Sequence, residues 1–202
     1  MTESYDFYMA RKTILEMLED RKYPIDPTLK DVSFEEFHLF FEKKQIYFHV
    51  DAAKASDEEI PHRVYVLFFT ESKSFGKKEY QTLVESMDIQ VPSYSVIIVL
   101  KEKLNTVMKR EHGSNLFENV EFFMLNELKF NKTKYPLVPK HTLLMEEEKE
   151  EILKRYSAKL SDMPVISKND PIVRYYGGKS GQMFEITRST KAGIVKYYRI
   201  VR

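Results

Sequence analysis

Five consecutive apolar residues, Val96, Ile97, Ile98, Val99 and Leu100, limit the folds open to this chain more than any other stretch. A strand with one wet face alternates apolar and polar side chains, so an unbroken run predicts a strand buried on both faces. That strand is placed at residues 93–100, with further strands at 46–50, 63–69 and 120–125. Helical patterns at 77–87 and 103–110 separate the last three. Strand, helix, strand, helix, strand in that order predicts a central sheet wrapped by helices, with right-handed crossovers.

Two helices are predicted ahead of the sheet. Residues 5–21 carry apolar side chains at Met9, Ile14, Leu15, Met17 and Leu18 and end at Tyr23-Pro24. Ser33 followed by Glu36 is a capping-box pattern, opening a helix through Phe34, Phe37, Phe40 and Phe41 that is read as a core-facing stripe.

A junction falls near residues 126–136, where a polar segment ends in Pro136. Two domains are therefore expected, 1–130 and 131–202. Their charges are opposite: the first has 17 Lys and Arg against 23 Asp and Glu, net −6, the second 15 against 8, net +7. In the second, residues 146–156 begin with three glutamates and end with Lys154 and Arg155, which complements a helix dipole. Asp170-Pro171 supplies an N-cap and a first-turn proline for a short helix at 171–176, and Gly177 supplies the stop. Residues 182–188 and 194–201 alternate across Lys191-Ala192-Gly193 and predict a terminal hairpin.

The chain has no cysteine, which excludes disulfides, thiolate metal sites and a cysteine nucleophile. No apolar run approaches a membrane span, and the first twenty residues lack a signal-peptide pattern, so a cytosolic or nuclear protein is expected. Gly177-Gly178-Lys179-Ser180-Gly181 contains Gly-Lys-Ser but lacks the further upstream glycine that a phosphate loop needs. His38, His49, His62, His112 and His141 show no metal-ligand spacing. Glu71-Ser72-Lys73, after the 63–69 strand, superficially matches the carboxylate and lysine of a metal-dependent nuclease, which is the rival reading of a free-standing nuclease-fold nucleic-acid-binding protein.

From Leu137 to His141, and from Asp170-Pro171-Ile172-Val173-Arg174-Tyr175-Tyr176-Gly177 through Gly181-Gln182, Arg188, Ala192-Gly193 and Tyr198-Arg199, the chain resembles a known family. It is similar to the C-terminal domain of the fifth subunit shared by the three nuclear RNA polymerases, whose archaeal relative consists of little more than this domain. Upstream, residues 11–21 resemble that family's first helix. Gly178 and Ser180 stand where the family has larger and basic residues, and the turn at 188–193 is one residue shorter. Such departures fit a diverged eukaryote or a large DNA virus.

The resemblance implies an α/β N-terminal jaw domain, restriction-endonuclease-like and non-catalytic, plus a small α+β C-terminal assembly domain. It implies a nuclear, structural subunit with no cofactor and no metal, part of a hetero-complex and not a homo-oligomer, with no membrane contact. Partners would be the largest polymerase subunit, a small shared subunit and downstream double-stranded DNA held without regard to sequence. By alignment with the family's DNA-facing segment, Lys103, Asn105, Thr106, Lys109 and Arg110 are the expected DNA-facing residues. Leu104 and Asn105 stand where the family has threonine and proline. The expected assembly residues are Pro139, His141, Asp170, Pro171, Arg174, Tyr175, Gly177, Arg188 and Arg199. Arg174 and Arg188 are expected to make polar pairs.

Overall fold

The computed structural model describes residues 3–43, 46–51, 63–85, 94–111, 117, 119–191 and 193–202. Met87, Ser93, His62, His112 and Ala192 lie outside them. The apolar run occupies strand Ser95–Leu100, in which every residue from Val96 on is buried. It is the third strand of a sheet ordered β1 (Tyr47–Asp51), β2 (Arg63–Phe69), β3 (Ser95–Leu100) and β4 (Val120–Met124). β2, β3 and β4 are parallel neighbours, and β1 runs antiparallel on the edge beside β2. The direction of β1 is not legible in the sequence, because its half-buried alternation suits either sense.

One face of this sheet packs on α1 (Glu3–Asp20), with the Phe7 ring 6.0 Å from Phe68. The short α2 (Pro27–Lys30) follows, capped by the Asp26 carboxylate. α3 (Phe34–Glu42) begins with the full capping box of Ser33 and Glu36. Of its phenylalanines, Phe37 is buried but Phe40 is 47% exposed, which corrects the four-residue core stripe. At about 100° per residue, Phe34, Phe37 and Phe41 share an arc of about 60°, and Phe40 falls about 60° outside it. The end of α1 is tied to β4 by a bidentate pair, Arg21 donating to Glu121 at 2.6 and 2.8 Å.

The opposite face carries Leu67, Val96, Ile98, Leu100 and Phe122, which cluster with Phe75 and Met108. The partly buried Tyr80 and Leu83 of α4 (Lys77–Glu85) pack against this cluster, to which α5 (Thr106–Glu111) contributes Met108. The helix expected at 103–110 begins three residues late because Asn105 caps it: its Oδ1 accepts the Met108 amide at 2.8 Å. Strand β4 likewise stops at Met124, where α6 (Leu125–Leu128) starts.

The chain divides into two compact units, Met1–Phe130 and Asn131–Arg202. In the second, a four-stranded sheet has the order β5 (Lys140–Leu143), β7 (Met183–Thr190), β8 (Gly193–Val201) and β6 (Val165–Ile166). Neither β5 nor β6 shows in the sequence pattern, since four and two residues give too little alternation to register. Helix α7 (Glu146–Arg155) places Ile152 against Met183 and Ile200. Helix α8 (Pro171–Tyr175) places Val173 against Phe184, Ile186 and Val201. The sheet is therefore covered on both faces only at the β7 start and β8 end. Along the hairpin from Arg188 to Lys196 every described side chain is exposed.

Candidate nucleic-acid edge and assembly surface

In the first unit, β2 and β3 end side by side, and the segments leaving them stay paired. Phe75 bridges Leu104 in parallel: the Phe75 amide donates to Lys103 O at 3.3 Å, and the Asn105 amide to Phe75 O at 3.0 Å. The buried Phe75 and Met108 anchor the two segments from beneath. Ligands of parallel α/β sheets gather at such carboxyl ends of strands, where helix starts converge.

The cations of this edge differ in their commitments. Lys73 lies 2.8 Å from Glu71 and 3.5 Å from Glu79, and the hydrogen bond it donates to Glu71 raises its pKa. Lys101 donates to Ser72 Oγ at 2.8 Å and pairs with Glu3 at 2.9 Å. Lys103, Lys109 and Arg110 are exposed and, among the described residues, have no carboxylate within ion-pair distance. Thr106 is exposed beside them, whereas the Asn105 carboxamide oxygen serves the helix cap. The bridge also brings the connection that begins α4, with exposed Lys77 and Lys78, alongside this stretch, a juxtaposition that sequence order alone does not reveal.

The same geometry bears on the nuclease triplet. Glu71 and Glu79 both reach Lys73 as surface ion pairs, and Ser72 accepts from Lys101, so these groups are spent on one another. Among the described residues no group of three or more His, Asp or Glu is placed to hold a metal ion. No helix among them is long and apolar enough to cross a membrane.

In the second unit, His141 Nδ1–H donates to Pro139 O at 2.7 Å, and its ring meets Phe184 edge-on at 6.2 Å. Asp170 caps α8 through the Ile172 amide at 2.8 Å, and Pro171 sits in the first turn. The buried Tyr175 hydroxyl accepts from Asn131 Nδ2 at 3.0 Å, holding α8 to the start of the unit. Gly177 ends α8 at φ 67, a left-handed value that favours glycine. A Cβ on Gly178 would come within 2.9 Å of both Phe184 and Val173, so the departure to glycine at this position matches tight local packing. Lys179 closes the segment by donating its amide to Gln182 Oε1 at 2.7 Å, which makes the Gly-rich stretch a turn.

Arg199 Nη1 donates to Val165 O at 2.9 Å. Arg188 makes no polar pair among the described residues and instead lies over the Tyr197 ring at 5.5 Å, contrary to expectation. The register explains this: Arg188 faces Val195, which puts Tyr197 two residues along on the same side of the ribbon. Pro139, His141, Asp170, Tyr175 and Gly177 thus hold the unit's own structure together, and Arg188 lies on the exposed hairpin.

Comparison with known proteins covers both units. Residues 130–201 match the family model described as RNA polymerase Rpb5, C-terminal domain, and residues 1–87 match RNA polymerase Rpb5, N-terminal domain. Over 206 residues the chain is 32% identical to the Caenorhabditis elegans DNA-directed RNA polymerases I, II, and III subunit RPABC1, covering 98% of this chain and 97% of that one. The subunit of the same description from Dictyostelium discoideum is 33% identical over 200 residues, with 94% of each chain covered. DNA-directed RNA polymerase V subunit 5A of Arabidopsis thaliana is 28% identical over 185 residues, 91% of this chain and 82% of that one.

Proposed function

The chain belongs to the RNA polymerase Rpb5 family, and from that premise we propose that it is a non-catalytic subunit of a nuclear DNA-directed RNA polymerase. Unit 131–202 docks on the largest subunit beside a small shared subunit. Unit 1–130 is the restriction-endonuclease-like jaw and lies along downstream duplex DNA. The observation that carries this reading is similarity running through both units to chains named as shared polymerase subunits.

An elongating enzyme must hold duplex of any sequence while letting it slide, which suits phosphate contacts and disfavours base-edge contacts. Lys103, Lys109 and Arg110 supply exposed charge for this on an otherwise acidic unit, with Thr106 as a neutral donor. Polymerase carrying Lys103→Glu, Lys109→Glu and Arg110→Glu together should release downstream duplex at lower salt than wild type. If all three meet phosphates, the slope of log K against log salt falls by about 0.9 for each phosphate no longer neutralised. An unchanged slope would remove DNA binding from this edge.

A further inference from the structure

We infer that the open edge of β8 takes an extended, carboxylate-bearing segment of another polymerase subunit as an added strand. The source of that segment rests on the polymerase reading above; the mode of binding rests on the hydrogen bonding of the sheet.

β8 lies between β7 and β6, yet β6 reaches only Ile200 and Val201. There the Ile200 amide donates outward to Pro164 O at 2.8 Å and the Arg202 amide to Ile166 O at 2.9 Å, while the Val201 amide donates inward to Gln182 O at 2.9 Å. Backbone groups in an antiparallel pair alternate in direction, so Tyr198, Lys196 and Ile194 turn their N–H and C=O toward the lane that β6 leaves empty. Among the described residues no backbone group pairs with these. Pro164, Met163 and Tyr156 line, together with Lys196 to Arg199 of β8, a cleft of about 320 Å³. A further strand would lie about 4.8 Å from β8. Ile194 is 74% exposed and Tyr197 46% exposed, so apolar side chains of the incoming segment have surface to cover.

Alternating donors and acceptors at strand spacing suit a polypeptide; phosphates would meet the carbonyls unfavourably. Charge narrows the choice further. Lys196 and Arg199 line this cleft, Arg155 is near enough to act on Lys196, and Arg188 lies over Tyr197 on the same ribbon, while Glu185 is already held by Lys196 at 2.9 Å and by the Tyr198 hydroxyl at 3.2 Å. A segment with carboxylates complements this set. A second copy of β8 would bring the same cations opposite one another, which disfavours self-pairing.

Hydrogen exchange resolved to single amides, on the free chain and on purified polymerase containing it, tests this. The Ile194, Lys196 and Tyr198 amides should exchange at least about tenfold more slowly in the complex. Lys196→Pro removes one outward amide without touching the β7 ladder and should lower recovery of the chain in polymerase, whereas Lys196→Gln keeps the amide and should retain most of it. Unchanged exchange of all three amides in a complex that does form overturns strand addition and leaves the polymerase reading standing. Failure of wild-type chain to enter polymerase overturns both. Protection in the free chain accompanied by a doubled mass overturns the inference in favour of a second copy.

Discussion

The two units treat their inner strands in opposite ways. β3 is buried on both faces over five successive residues, held between α1 on one side and the Phe75–Met108 cluster on the other. β8 is also an inner strand by sheet order, yet only Ile200 and Val201 are buried, and its first half is exposed with Ile194, Val195 and Tyr197 among its side chains. The first unit completes its own core and meets the outside with charge on one edge. The second leaves apolar surface exposed along a ribbon whose outward backbone groups have, among the described residues, no strand partner, the condition that the proposed strand addition requires. Net charge runs against first intuition on the proposed reading, in which the acidic unit meets phosphate through one basic edge and the basic unit meets protein.

Truncating each strand in turn breaks or sharpens this contrast most directly. Ile98→Ala should destabilise the first unit by about 2–5 kcal/mol, as for a wholly buried aliphatic side chain, while Ile194→Ala should change the free chain by no more than about 0.5 kcal/mol. Urea unfolding followed by amide exchange within each unit separates the two; equal losses would remove the distinction. Next in size, Gly178→Ala should cost the second unit about 1–3 kcal/mol, because Phe184 and Val173 must shift. An unaltered midpoint would mean the packing around α8 yields more easily than its distances suggest. Among the destabilising changes the smallest is at the basic edge, where Asn105→Ala removes the α5 cap and should cost about 1 kcal/mol. That loss should appear as faster exchange in α5 and leave the second unit unaffected.

Much of the first unit is legible in the sequence because its signals are long or local. The apolar run could hardly be anything but a doubly buried strand, and the Ser33–Glu36 box starts α3 where its pattern predicts. Phe40 misleads because a spacing of three or four residues drifts round the helix, and the drift carries this ring off the core face. The pairing of Phe75 with Leu104 and of Arg21 with Glu121 joins residues far apart in sequence, and nothing local announces either. At the candidate edge the lysines can be named from sequence, but not which of them are spent on Glu3, Glu71 and Glu79. In the second unit Asp170, Pro171 and Gly177 act where turn chemistry places them. The open edge of β8 depends on β6 stopping after two residues, which no periodicity expresses.

Recovery of tagged full-length chain from cells, with its partners identified by mass spectrometry, tests the central claim most directly. The largest polymerase subunit should come down in stoichiometric amount and be retained through a salt wash that strips loosely bound proteins. Recovery of the chain alone, or with partners that include no large polymerase subunit, would contradict the account.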